Sequence, residues 1–206
     1  MMSKKIKNIV FDLGGVLIEW DPKVVYRSIF ETEQEVEDFL TTICTMEWNV
    51  QQDAGRSLVA ATEALTEEHP GWATEIAAYY GRWEEMLVGP IDGTVKLLKG
   101  LVDDENYKVV ALTNWSAETF PVAKARYDFL GWFEGILVSG EEGCIKPAPE
   151  IYNMLFEKYD LLPEESLFVD DNAANVESSI ALGMEAIRFE NPDQLRRELK
   201  SRGVML

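Results

Sequence analysis

The segment Ile9-Val10-Phe11-Asp12-Leu13-Gly14-Gly15-Val16 constrains this chain more than any other. An apolar run of β type leads into a carboxylate and then into two glycines, the pattern of a buried strand that stops at a reactive group. Related strand ends recur downstream. They are Val109-Val110-Ala111-Leu112-Thr113-Asn114, then Cys144-Ile145-Lys146-Pro147 just after Ile136-Leu137-Val138, then Leu167-Phe168-Val169-Asp170-Asp171-Asn172. A nucleophile, a hydroxyl with an amide, an ammonium and a carboxylate pair therefore fall at or just beyond strand ends, where open parallel sheets place their ligands.

Five segments read as strands, namely 6–11, 108–113, 135–138, 166–169 and 185–189. Helical spacing separates most of them (94–101, 121–129, 149–159, 173–182 and 192–201), so the alternation is βαβ and the class is α/β with a mostly parallel sheet. Several of these helices open on a proline in the first turn. Residues 22–87 show no strand pattern. Asp21-Pro22 starts a helix there, and Thr32-Glu33-Gln34-Glu35 is a capping box that opens a run to about residue 43. With 57–65 and 72–83 the segment holds roughly four helices, the number of a small bundle. Gly89-Pro90-Ile91-Asp92-Gly93 is the hinge back.

At 206 residues the chain can bury one core and a smaller accessory unit. Its 37 acidic and 19 basic side chains leave a net charge of −18, which repels nucleic acid and anionic membranes. That field also repels an anionic substrate unless a cation reverses it locally, which points to a divalent metal ion. No apolar run is long enough to cross a bilayer, and the basic start Met1-Met2-Ser3-Lys4-Lys5 leads straight into a strand and does not read as a secretion signal. Cys44 and Cys144 match no metal or redox spacing; Cys44 reads as core and Cys144 as a loop residue beside Lys146. The default location is the cytoplasm, and the pattern sets no oligomeric state.

A carboxylate at the end of a buried strand is held in place, and covalent attack by it divides one difficult displacement into two easier ones. Asp170 beside Asp171 is electrostatically costly without a cation, and an all-oxygen donor set suits magnesium. In this order the four blocks resemble the haloacid dehalogenase superfamily of aspartate-nucleophile hydrolases, over nearly the whole chain. The first and last blocks are distinctive alone, while Thr113-Asn114 and Lys146-Pro147 gain specificity from order and spacing. The resemblance implies a Rossmann-like core from residues 1–16 and 91–206, with a helical cap of residues 17–90 inserted. It also implies a magnesium-dependent phosphatase that acts on a small phosphorylated metabolite through an aspartyl-phosphate on Asp12. Asp12, the Gly14 carbonyl and Asp171 would then be metal ligands, with Asp170 acting through water or by orienting its neighbour. Thr113, Asn114 and Lys146 would hold the phosphoryl group, and Lys146 would keep Asp12 ionised.

The chain departs from the resemblance at Gly14, where most phosphatases of the superfamily carry a second aspartate that protonates the leaving oxygen and activates water. Glu19 and Asp21 are the nearest acids in sequence, and they read either as substitutes for it or as helix-start charges. A 2-haloacid dehalogenase uses the same aspartate without metal, but it normally has serines where Asp170 and Asp171 stand, and a haloacid's own carboxylate would be repelled there. A non-catalytic binder of a phosphorylated ligand or a protein is the alternative from another class. The pattern does not set which cap residues contact substrate; Arg56, Arg82 and Trp48 are the candidates, and Trp48 and Trp115 each either border the pocket or pack. His69, before Pro70, reads as an ordinary turn residue, and the acidic stretches 31–38 and 63–68 as solvated helix faces.

Overall fold

The computed structural model describes residues 6–205, and the basic start 1–5 lies outside them. The described residues form the strands β1 Asn8–Phe11, β2 Ile18–Trp20, β3 Leu87–Pro90, β4 Lys108–Thr113, β5 Gly135–Val138, β6 Ser166–Asp170 and β7 Glu185–Arg188. Five of them make one parallel sheet in the order β5-β4-β1-β6-β7. A parallel sheet covered on both faces calls for unbroken apolar runs, and β1 and β6 are buried at every position. The chain moves outward from β1 through β4 and β5, then restarts on the other side of β1 with β6 and β7. That reversal opens a crevice beyond the carboxyl ends of β1, β4 and β6, and Asp12, Thr113 and Asp170 stand there. All five sheet strands match the sequence reading, with ends shifted by a residue or two.

Between β2 and β3 lie the helices α1 Lys23–Tyr26, α2 Glu33–Thr42, α3 Met46–Asp53, α4 Leu58–Glu68 and α5 Ala73–Gly81. The sheet is flanked by α6 Asp92–Val102, α7 Phe120–Arg126, α8 Ser139–Glu142, α9 Pro149–Tyr159, α10 Ala173–Ala181 and α11 Pro192–Ser201. The capping box is made as expected: Glu35 N–H donates to Thr32 Oγ1 at 3.3 Å, and Thr32 N–H donates to Glu35 Oε2 at 2.9 Å.

Three features depart from the sequence reading. β2 and β3 pair as an antiparallel ribbon through which the chain leaves and re-enters the core. They are too short, and Gly89-Pro90 too strand-averse, to show a period of two. Helix α3 was not expected because it buries Asn49 and Gln52 beside Trp48, so its inward face is not apolar. The segment 121–129 ends as a helix at Arg126, where Tyr127 turns extended before a 3₁₀ turn over Asp128–Trp132.

The inserted helices share an aromatic interior. Tyr26 packs on Phe39 at 4.8 Å, and Trp48 on Tyr79 and Tyr80 at 5.1 and 5.2 Å between ring centroids. Cys44 is buried there beside the Tyr26 hydroxyl, and His69 closes α4. Hydrogen bonds tie this unit to the strand-end loops. Ser139 Oγ donates to the Asp53 carbonyl at 2.6 Å while accepting from Trp115 N–H at 2.9 Å, and Leu58 N–H donates to Glu118 Oε1 at 2.8 Å. Among the described residues, no helix is long and apolar enough to cross a membrane.

Thr32→Ala removes the side-chain acceptor for Glu35 N–H, while the backbone N–H of residue 32 can still donate to Glu35, and should cost about 0.5–2 kcal/mol. Urea unfolding should show a lower midpoint at an unchanged slope.

Candidate active site

Lys146 is the centre of the crevice. Its side chain is 1% exposed, yet the ammonium is fully partnered, with Asp12 Oδ1 at 2.9 Å, Asp170 Oδ2 at 2.7 Å and the Leu112 carbonyl at 3.0 Å. An ammonium has three hydrogens, and all three are used. The backbone of Lys146 is pinned from the opposite side by Asn114, whose Oδ1 accepts from Lys146 N–H at 2.8 Å and whose Nδ2 donates to the Lys146 carbonyl at 3.0 Å. Thus β4 positions the lysine through the residue that follows its last strand position.

Asp170 is wholly buried, and both of its oxygens are engaged. Besides Lys146 it accepts from Asn172 N–H at 2.8 Å and from Asn175 Nδ2 at 3.1 and 3.0 Å. Asn172 caps α10, and Asn175 on its first turn reaches back to the strand end, so the helix start and the carboxylate fix one another. Asp12 is 8% exposed and takes a second hydrogen bond on Oδ1 from Leu13 N–H at 2.7 Å. Asp171 stands at the exposed rim. Gly15, at φ +71°, leaves room for it, because a Cβ there would sit 2.4 Å from Asp171 Oδ2.

Asp12, Asp170 and Asp171 each bring an oxygen to within 4.8 Å of the others. Burial pushes the Asp12 carboxyl from the ordinary 3.8 up to about 7, with Lys146 pulling it back and Asp170 pushing it further. Partial burial and Asp170 also raise Asp171. Burial opposes the charge on Lys146, but Asp12 and Asp170 outweigh it and hold the ammonium above its usual range. Three carboxylates against one ammonium leave an excess of negative charge, and the oxygen-only donor set fits a hard divalent cation.

Above this floor is a cavity of about 270 Å³. Trp20, Met46, Val50, Trp83 and Trp115 form apolar walls, while Asn49, Asp53 and Thr119 add polar groups. Gly14 lines the cavity too, and a Cβ built on it would meet nothing within 4 Å.

The structure brings Asp12, Gly14, Asn114, Lys146 and Asp171 together on the cavity, with Asp170 just beneath. Thr113 ends β4 beside Asn114, 1% exposed, and is not among the residues that line the cavity. Trp115 both borders the cavity and packs on Trp83 at 5.8 Å. Other expectations fail. Trp48 is interior to the helices, donating to the Ala61 carbonyl at 3.3 Å; Arg56 is bonded to Gln52 at 2.8 Å; Arg82 pairs with Glu85 at 2.6 Å. None of the three lines the cavity, nor does Cys144. Glu19 is exposed on β2 away from it. Asp21 stands just before α1, accepting from Lys23 N–H at 2.9 Å and pairing with Arg27 at 3.3 Å. Nearness in sequence misled there: Trp20, between the two acids, lines the cavity, and on an extended strand the neighbouring side chain of Glu19 faces the other way. Missed from sequence were Asn175, Asn49 and Asp53. An amide three residues into the helix after Asn172 was the available signal for the first, and the unrecognised α3 hid the other two.

A model of the haloacid dehalogenase-like hydrolases matches residues 6–183. The chain belongs to this family. Among curated members, this hydrolase is 29% identical to the sesquiterpene phosphatase astK of Aspergillus oryzae, over 91% of this chain and 92% of that one. It is 26% identical to the D-ribitol-5-phosphate phosphatase of Bacteroides thetaiotaomicron, over 94% of this chain and 97% of that one. A solved structure of a HAD family enzyme from the same bacterium is 25% identical and superposes with a TM-score of 0.75, covering 91% of this chain and 95% of the other.

In metal-free buffer, Asp12 of the folded hydrolase holds its proton up to about pH 7, while the unfolded chain releases it near 3.8. The folded state thus binds more protons across that window, and this contribution to stability falls as pH rises. Unfolding free energies of wild type and Asp12→Asn, measured in chelator from pH 4 to 8, should therefore diverge with rising pH in favour of the variant.

Proposed function

We propose that the protein is a magnesium-dependent phosphatase that hydrolyses a small phosphomonoester through a phosphorylated Asp12. The observation that carries this reading is the convergence of Asp12, Asp170 and Asp171 beside the buried Lys146 at the floor of a cavity. The two curated relatives that span the chain are named as phosphatases, which supports it.

Asp12, Asp171 and the Gly14 carbonyl would hold the magnesium ion. Asp170 orients this set, since its oxygens are already committed to Lys146, Asn172 and Asn175. The bound ion supplies positive charge to the phosphoryl oxygens and offsets the surplus of carboxylates. Both hydrogen bonds to Asp12 fall on Oδ1, which leaves Oδ2 as the attacking oxygen. Lys146 steadies Asp12 by direct contact and contributes its charge to the phosphoryl site, while Thr113 and the second N–H of Asn114 serve as donors to the phosphate.

Residues 17–90 act as a cap that selects the ester. Trp20, Met46, Val50 and Trp83 come from this segment and give the leaving alcohol an apolar surface to lie against. The adjacent Asp170 and Asp171 count against a haloacid, whose carboxylate would meet them directly.

A panel of phosphate esters and 2-haloacids, assayed with magnesium and with chelator, tests this reading. Turnover of esters in magnesium only is expected, with Asp171→Asn requiring more magnesium. Asp12→Asn should abolish turnover with an unchanged far-UV circular dichroism spectrum. Haloacid turnover in chelator would replace the phosphatase with a dehalogenase, and phosphate-ester binding without any turnover would make the protein a binder.

A further inference from the structure

Resting on the phosphatase reading, we propose that Asp53, at the end of α3, is the group that protonates the leaving oxygen and then activates water. An alkoxide leaving a phosphoryl group needs a proton, and the cavity offers few sources. Its ionisable lining groups are Asp12, Asp53, Tyr80, Lys146 and Asp171. Asp12 is the nucleophile and Asp171 belongs to the carboxylate cluster. The three N–H groups of Lys146 are taken, and the Tyr80 hydroxyl donates to Asn49 Oδ1 at 3.0 Å while accepting from Gln52 Nε2 at 2.7 Å. Asp53 is left.

Its position agrees. Asp53 lines the same cavity as Asp12, Lys146 and Ser116, and its carboxyl lies near enough to the Lys146 ammonium and the Ser116 backbone for both to favour its ionised form. Its own carbonyl is held by Ser139 Oγ at 2.6 Å, which anchors this part of the insertion to the loops after β4 and β5. A carboxylate on the last residue of a helix faces the negative end of the helix dipole, so helix stability does not account for it. Burial pushes the carboxyl from 3.8 up to about 7, against the pull of Ser116 N–H and Lys146, so a sizeable protonated fraction exists at neutral pH.

In the first step Asp12 Oδ2 bonds to phosphorus and the bond from phosphorus to the ester oxygen breaks. The departing oxygen keeps the electron pair and takes the Asp53 proton. In the second step a water, placed where the alcohol left, bonds to phosphorus and gives one proton to the Asp53 carboxylate. The bond to Asp12 breaks, phosphate leaves, and both aspartates return to their starting states. Alcohol and water occupy the same side, opposite Asp12, so one carboxyl serves both transfers. Gly14 has open space above it and supplies no acid to compete.

Single-turnover rates with magnesium, across a series of aryl and alkyl phosphates, test the assignment in wild type, Asp53→Asn and Asp53→Asn/Gly14→Asp. Wild type should depend weakly on leaving-group pKa. Asp53→Asn should lose about 10²–10⁴-fold on the poorest leaving groups but little on the best. With the best leaving groups in excess over enzyme it should release a burst of phenol equal to the enzyme, because water attack is then slow. The double variant should regain rate on poor leaving groups, since the space at Gly14 accepts the new side chain. A steep dependence in the wild type overturns the proposal without reference to any variant. So does an Asp53→Asn protein, folded and binding magnesium normally, whose rates are unchanged or lowered equally across the series. Absence of magnesium-dependent turnover in the wild type would instead overturn the phosphatase reading, and this inference with it.

Discussion

The contact on which the site depends is the one between the Lys146 ammonium and the two carboxylates of Asp12 and Asp170. Each of these charges alone would be costly to bury, and together they are affordable only because every remaining polar position is also filled. The Leu112 carbonyl takes the third ammonium hydrogen, while Asn172 and Asn175 complete Asp170. This network joins the ends of β1, β4 and β6 and the start of α10 into one unit. Its geometry is therefore set by the sheet and is independent of the inserted helices.

Two neighbouring glycines after β1 have opposite reasons to be glycine. At Gly15 the backbone is left-handed and a side chain would run into Asp171, so the turn and the carboxylate cluster both require it. At Gly14 neither constraint applies, and the space is open. The missing carboxyl at that position is therefore a matter of chemistry and not of folding. The inserted segment shares that space, since Trp20, Asn49, Asp53 and Trp83 line the same cavity as Gly14.

Those helices meet the core through few polar contacts, yet one of these falls next to Asp53. Ser139 receives Trp115 N–H and donates to the Asp53 carbonyl, so the strand-end loops hold α3 directly. Further along the same helix, Asn49 and Gln52 join the Tyr80 hydroxyl in a buried polar chain that continues to Arg56. A hydrogen-bonded interior of this kind fixes the helices against one another more narrowly than aromatic packing alone. The side of the cavity formed by the insertion is thus held from both ends.

Much of this protein was legible in its sequence. Apolar runs ending in Asp12, Thr113 and Asp170 announced strands buried on both faces, because only a covered parallel sheet uses such runs, and the crevice at their carboxyl ends follows from that topology. Thr32 and Glu35 announced their helix through local hydrogen bonds that need no distant partner. The remainder depended on contacts between residues far apart in the chain. Asp53 and Asn49 carry no periodic or motif signal, Asn175 carries only its place in the first turn after Asn172, and Trp48, Arg56 and Arg82 were plausible contacts until packing turned them elsewhere. Glu19 and Asp21 lie close to Asp12 in sequence, yet of this stretch it is Trp20 that faces the cavity, while Asp53 is brought to the cavity by the docking of α3. Strand ends are a local property that the sequence determines; which side chains share a cavity is decided only when separate elements pack.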